Sequence, residues 1–442
     1  MRIQLSDHFH YRKLLRFTLP SIIMMLFTSV YGLVDALFIS NFVGITPFAA
    51  INLILPLTMI LGAVGFMFGA GGSALVSATL GAKDAPRANR IFSMLTYIAL
   101  GLGIFLAVGS FLLMEPIARW VGADDALLPY CVTYGRILVL ALPGFILQNL
   151  FQSFMITAEK PTLGLIVTIA AGLTNIVLDA LFIVVFQWGV KGAAAATGIS
   201  QLVGGLIPLI YFSRPNNSLL RLGATQFDRK ALFSSCTNGL SELVNNISMS
   251  LVAILYNLQL IKLAGESGVA AYGAVLYVGF MFIAIFLGYS IGIMPVIGFH
   301  YGAQDHKELA GLFRKSNVII TISSLILAAL SFLLAEPLAQ VFVGDSPDAL
   351  AMAITAFRYY SLAVLFSAFN IFGSAFFTAL NNGVISAAIS FLRTLVFQIA
   401  GVFILPLFFG LDGVWSSLFV AELLATIVTF LFYKFQRAKY HF

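Results

Sequence analysis

Long stretches of this chain are apolar on every side. Twelve such runs lie at roughly 14–40, 48–78, 92–114, 130–157, 162–186, 190–212, 232–262, 268–299, 316–335, 349–379, 384–408 and 412–434. Short polar segments rich in Gly, Pro, Asn and Lys separate them. A run of that length with no polar face reads as a membrane-spanning helix rather than the buried helix of a soluble domain. Several runs exceed the ~20 residues that a bilayer requires, so those helices tilt, bend or project beyond it. The pattern predicts an all-α polytopic membrane protein with twelve transmembrane helices.

The longest connection among the inner segments, about 213–230, holds Pro215, Asn216, Asn217 and four basic residues, and it divides the chain nearly in half. It is read as a linker between an N-lobe, residues 1–212 with spans one to six, and a C-lobe, residues 231–442 with spans seven to twelve. The halves repeat. Gly81-Ala-Lys-Asp84 recurs as Gly302-Ala-Gln-Asp305, Glu115-Pro116-Ile-Ala118 as Glu336-Pro337-Leu-Ala339, and Phe151 to Ala158 as Phe372 to Ala379. Lys191-Gly192 corresponds to Asp412-Gly413, and every pair is offset by 221 residues. Four matches in one register indicate an internal duplication. Six spans per unit run both units the same way through the membrane. The lobes are then pseudo-symmetric about an axis along the membrane normal, with binding sites within or between them.

Charge fixes an orientation. With the N-terminus inside, 18 Lys and Arg fall on inner segments, from Arg2, Arg12, Lys13 and Arg16 through Lys434, Arg437 and Lys439; only Arg119, Lys191 and Lys262 fall on outer loops. This bias places both termini in the cytoplasm. It also accounts for the net charge of +6, so no nucleic-acid partner is needed. Composition agrees: 60% of residues are apolar and only 10% charged, against about a quarter in soluble domains. Cys131 and Cys236 lack metal-ligand spacing and read as small apolar residues. Met1 to His10 is polar and no cleavable signal follows it. The five histidines sit at predicted inner ends and read as interfacial. No nucleotide-binding signature appears, so an ion gradient is the expected power source.

Four acids fall within predicted spans: Asp35, Asp179, Glu242 and Glu422. A carboxylate at that depth is costly unless it is paired, faces water or takes up a proton. Asp35 and Asp179 both fall in the outer halves of their spans, in one lobe. Asn175 is four residues from Asp179, so the two share a helix face. Thr197 and Tyr134 offer hydroxyls to the same space. Two carboxylates with an amide oxygen can hold a sodium ion, or share a proton, and the residue types do not choose between them. The plain alternative is a structural ion pair with an arginine such as Arg136. Glu242 reads as a possible secondary acid or a helix-end carboxylate near headgroups. Glu422 reads equally as structural or lobe-lining. Arg393 needs an anionic partner that no sequence rule names.

Pro20, on the first span about four turns from Asp35, permits bending and is the candidate for conformational coupling, with a static kink as the alternative. Gly65, Gly69, Gly72, Gly288 and Gly292 read as close helix contacts. Aromatic and methionine residues of spans seven, eight and ten, among them Tyr256, Tyr272, Tyr277, Phe280, Met281, Phe282, Phe286, Phe366 and Phe369, read mostly as core. Those facing the lobe interface would suit bulky amphipathic cations.

The whole chain resembles the multidrug and toxic compound extrusion (MATE) family. Length, twelve spans, duplicated lobes and basic linker fit. More specifically, Pro20, Asp35, Tyr134, Asn175, Asp179 and Thr197 resemble the N-lobe constellation of archaeal and DinF-like members. The resemblance implies a V-shaped pair of six-helix bundles in a bacterial inner membrane. It also implies an antiporter in which sodium or protons run inward while amphipathic or cationic drugs leave. The implied partners are such small organic compounds and membrane lipids; the only cofactor implied is the coupling ion, and nothing requires more than a monomer. The chain departs from the NorM-like branch, whose further acid in span seven is replaced here by Asn245-Asn246, with Glu242 earlier. A lipid-linked saccharide flippase of the same superfamily is the alternative, and it would need Arg136, Arg358 and Arg393 to line one cavity. An intramembrane enzyme would need convergent catalytic groups, which the sequence does not offer.

Overall fold

The computed structural model describes residues 3–442; Arg2, counted above among the inner-face cations, lies outside the described residues. The described chain is helical almost throughout. The first half contains α1 (Tyr11–Phe42), α2 (Ile45–Gly81), α3 (Ala85–Leu112), α4 (Met114–Trp120), α5 (Leu128–Leu140), α6 (Leu142–Thr157), α7 (Pro161–Asp179) and α8 (Val190–Ser213). The second contains α9 (Arg229–Gly302), α10 (His306–Leu333), α11 (Ala335–Val343), α12 (Pro347–Ala379), α13 (Gly383–Phe391), α14 (Gln398–Phe409) and α15 (Leu411–Tyr440). Two π-helical segments, Ala180–Val185 after α7 and Leu392–Phe397 between α13 and α14, complete them.

Each predicted span has a helical counterpart, with two local differences. Span 130–157 is broken at Ala141 into α5 and α6, which bend by 54°. Pro143 stands in the first turn of α6, where its missing N–H costs nothing to the new helix but cannot continue the old one. The 74-residue α9 is far too long for one crossing at 1.5 Å per residue. It turns at Gly265 (φ 62°, ψ −154°), a conformation open to glycine alone, and so forms two spans. The short helices α4 and α11 lie beyond the predicted spans, which stop at the Glu-Pro pairs 115–116 and 336–337 that open them.

The duplication is written into the backbone. Asp84 and Asp305 cap α3 and α10, each accepting from the amide three residues on. Lys83 and Gln304 before them both take the left-handed conformation. Gly189 (φ 54°, ψ −130°) and Gly410 (φ 56°, ψ −130°) start α8 and α15 in the same way. Arg136 lies over the Phe111 ring at 5.5 Å, and Arg358 over Phe332 at 5.8 Å.

Both termini and the connection after α8 lie on one face of the bundle, here called the terminal face. The two halves approach most closely there. A side chain at Gly302 of α9 would stand 1.9 Å from the Ala78 carbonyl oxygen of α2, and one at Gly239 would stand 1.9 Å from that of Met67. Gly288 and Gly292 meet Ser21, Ile22 and Thr18 of α1 in the same manner, whereas Gly65 and Gly69 pack on α6 within their own half. Only glycine allows such backbone approach. Toward the opposite face, Gly32 of α1 and Gly273 of α9 have no such neighbour within 4 Å. The apolar core of the second half also takes in Leu5, Phe9, Leu14 and Phe17 from the start of the chain.

Candidate functional site

Asp179 ends α7, at the point where α-helix gives way to the π segment. Wider π turns re-aim side chains and recur at functional sites. Asp179 is fully buried and Asn175, one turn earlier, is 1% exposed. Asp35 of α1 is half-buried and lies beside both. Tyr134 of α5 is fully buried with its hydroxyl beside Thr197 of α8. Four helices thus bring five predicted residues to one place. Gln148 of α6, beside Tyr31 of α1, adjoins it and was not anticipated; an amide amid apolar neighbours was the available signal.

The site is defined by what its polar atoms lack. Among the described residues, both carboxylate oxygens of Asp179, Oδ1 of Asp35, both amide atoms of Asn175, the Tyr134 and Thr197 hydroxyls and Gln148 Oε1 have no hydrogen-bond partner in the chain. Buried polar groups are nearly always satisfied, so eight unsatisfied atoms in one cluster call for a guest. An ionised Asp179 without a partner carries a desolvation penalty of several kcal/mol. A proton or a small hard cation would remove it, and the donors are the oxygens such a cation prefers. Arg136 does not serve: its Nε donates to the Phe111 carbonyl at 3.3 Å. Toward the face opposite the termini, a cavity of about 860 Å³ is framed by Val43, Tyr130, Thr133, Trp188, Lys191 and Ala195, one to two turns beyond Tyr134 and Thr197.

Pro20 lies inside α1, eight residues before Thr28, and the adjoining Thr18 hydroxyl donates back to the Leu14 carbonyl at 3.1 Å. The chain here is held by Gly288 and Gly292 of α9. Glu242 stands apart from the acid cluster, on α9, within electrostatic reach of Arg393. Arg393, in the second π segment, has Glu422 as its partner: Nη2 is 2.7 Å from Oε1, and Nε donates to both carboxylate oxygens at 2.8 and 2.9 Å. Asn370 Nδ2 donates to Glu422 Oε2 at 2.7 Å, while Thr426 and Thr429 donate to Asn370 Oδ1. This network is satisfied and buried, so it contrasts with the open one in the first half. Sequence periodicity could not pair Arg393 with a residue 29 positions away. Of the aromatic residues noted above, Tyr256 and Tyr272 stack at 4.9 Å inside the core, and Tyr256 bonds Ser417; Tyr277 and Phe280 are exposed.

The model of the MatE family matches the chain twice, at residues 20–181 and 243–404, once in each half. Similar curated proteins include the multidrug export protein MepA of Staphylococcus haemolyticus (strain JCSC1435), 27% identical, covering 95% of this chain and 92% of its own. MepA of Staphylococcus saprophyticus is 25% identical, covering 95% and 93%. Among solved structures, an outward-facing multidrug resistance MATE family transporter of the MOP superfamily superposes with a TM-score of 0.92 at 24% identity, over 98% of this chain and 97% of that one. A MOP superfamily transporter from Pyrococcus furiosus gives 0.90 at 24% identity, over 98% and 97%. The tandem match spans most of the chain, one copy on each half of a duplicated helical bundle, and the chain therefore belongs to the MatE family of membrane transporters.

Proposed function

We propose that this protein is an ion-coupled antiporter that exports amphipathic or cationic drugs across a bacterial inner membrane. Both termini lie in the cytoplasm, as the Lys and Arg distribution favours. Export of drugs is the activity named for the MepA relatives. One observation carries the coupling: the unsatisfied cluster of Asp35, Asp179, Asn175, Thr197 and Tyr134. Sodium or a proton enters this cluster while the halves are closed at the terminal face. It neutralises Asp35 and Asp179 and lets their helices draw together. α1 carries Asp35, and Pro20 is where that helix yields. Drug and ion favour different arrangements of the lobes, which is all that exchange requires. Glu242 and Glu422 are assigned no part in holding the ion. The three intramembrane arginines each have a local neighbour, which supports export of drugs over flipping of lipid-linked saccharides.

Efflux of ethidium from proteoliposomes, with sodium and proton gradients imposed separately, tests the reading. One gradient is expected to drive the unaltered protein, and Asp179→Asn, folded, is expected to be inert under it. Efflux by neither gradient, for ethidium and other organic cations, would remove the proposal.

A further inference from the structure

Two acids outside the ion site are buried on the terminal face. Glu159 lies in the connection between α6 and α7, in the first half, and is 9% exposed. Glu308 lies in the first turn of α10, in the second half, and is 6% exposed. The segment ahead of α1 joins them. The Leu5 amide donates to Glu159 Oε1 at 2.8 Å. The Phe9 amide donates to Glu308 Oε1 at 2.9 Å, and His8 Nδ1 stands 2.5 Å from Glu308 Oε2. Lys315 Nζ donates to the Phe9 carbonyl. Leu5 and Phe9 are fully buried, and Lys13 holds Asp7 at 2.8 Å. Hydrogen bonds to a charged acceptor are the strong kind.

We infer that residues 4–9 are a latch across the two halves, anchored on Glu159 and Glu308, that holds the terminal face closed. The inference rests on the reading that the halves part at this face during export. Chain length gives it force. Four residues separate the anchored amides of Leu5 and Phe9, and four extended residues span at most about 14 Å. Any opening that carries the anchors farther apart must release one of them. The geometry favours release at Glu308. There Lys315, already 3.9 Å from Oε1, can take over the carboxylate, so that it is not left buried and unpaired. Glu159 and Glu308 are thus positioning residues: they touch neither ion nor drug, and they set how long the protein waits closed.

The test uses the full chain with Cys131 and Cys236 replaced by Ser and spin labels at Lys83→Cys and Gln304→Cys, two exposed positions of the terminal face, one in each half. Pulsed dipolar distances are read in proteoliposomes with and without ethidium and each gradient. The parent is expected to show a closed and a parted population. Glu308→Gln is expected to raise the parted-to-closed ratio about tenfold, as weakening a charged hydrogen bond would. His8→Ala, at a side chain 75% exposed, is expected to raise it severalfold, with an unchanged melting temperature. Two populations in the parent with ratios within twofold of it in both variants would overturn the latch while leaving lobe motion standing. A single distance in the parent under every condition would overturn lobe motion and the latch with it.

Discussion

At the residue scale, two buried networks of opposite character separate the halves. Around Asp179 the polar atoms are unsatisfied; around Glu422 every partner is present. Opposite consequences of substitution follow. Asp35→Asn and Asp179→Asn remove a charge that no cation among the described residues balances, so thermal stability in detergent should hold or rise slightly while gradient-driven efflux falls at least tenfold. Glu422→Ala removes the hydrogen-bonded partner of Arg393 and leaves only the more distant Glu242 for a largely buried guanidinium, a loss of about 3 kcal/mol. It should appear as a markedly lowered melting temperature and poor yield, and Arg393→Met combined with Glu422→Leu should recover much of it. A Glu422→Ala protein as stable as its parent would show that the pair is not structural.

At the element scale, the turns that launch α8 and α15 and the interface of α2 with α9 are the sensitive points. Gly189 and Gly410 hold a conformation open to glycine alone, so Gly189→Ala and Gly410→Ala should each cost about 1–3 kcal/mol, read from melting temperature. Equal losses are expected, because the two turns are copies of one another. Gly302→Val acts differently. It places a side chain against the Ala78 carbonyl oxygen, so the halves can no longer close at the terminal face. Fluorescent labelling of a cysteine placed near Ala78 should become faster, and efflux should stop without loss of folded protein. Unchanged labelling and efflux would show that the close approach is dispensable.

At the scale of the whole molecule, the halves are copies in backbone but not in chemistry. The first holds two acids with unsatisfied buried oxygens; in the second, the Arg393 guanidinium already occupies the Glu422 carboxylate. Under the proposed function, the coupling ion then has a single site, in the first lobe. Isothermal titration of the unaltered protein with sodium, at a pH where binding is seen, should therefore give close to one ion per chain. Asp179→Asn should abolish it and Glu242→Gln should not. A stoichiometry near two, or loss on changing Glu242, would move a site into the second half.

The apolar pattern determined the membrane and the spans, because bilayer thickness translates directly into run length, and motifs recurring at one offset determined the duplication. The pattern also marked Asp35, Asn175, Asp179, Thr197 and Tyr134, since a polar residue in such a run has few innocent uses. What it could not determine depends on contacts between distant segments. Arg393 with Glu422, the strap from Leu5 to Phe9 across Glu159 and Glu308, and the backbone contacts at Gly239 and Gly302 join residues tens to hundreds of positions apart. The π turns after Asp179 and around Arg393 escaped as well, because a single change of helical pitch leaves no mark on a run that is apolar on every side. Periodicity reports which faces are apolar; only packing decides which of them meet.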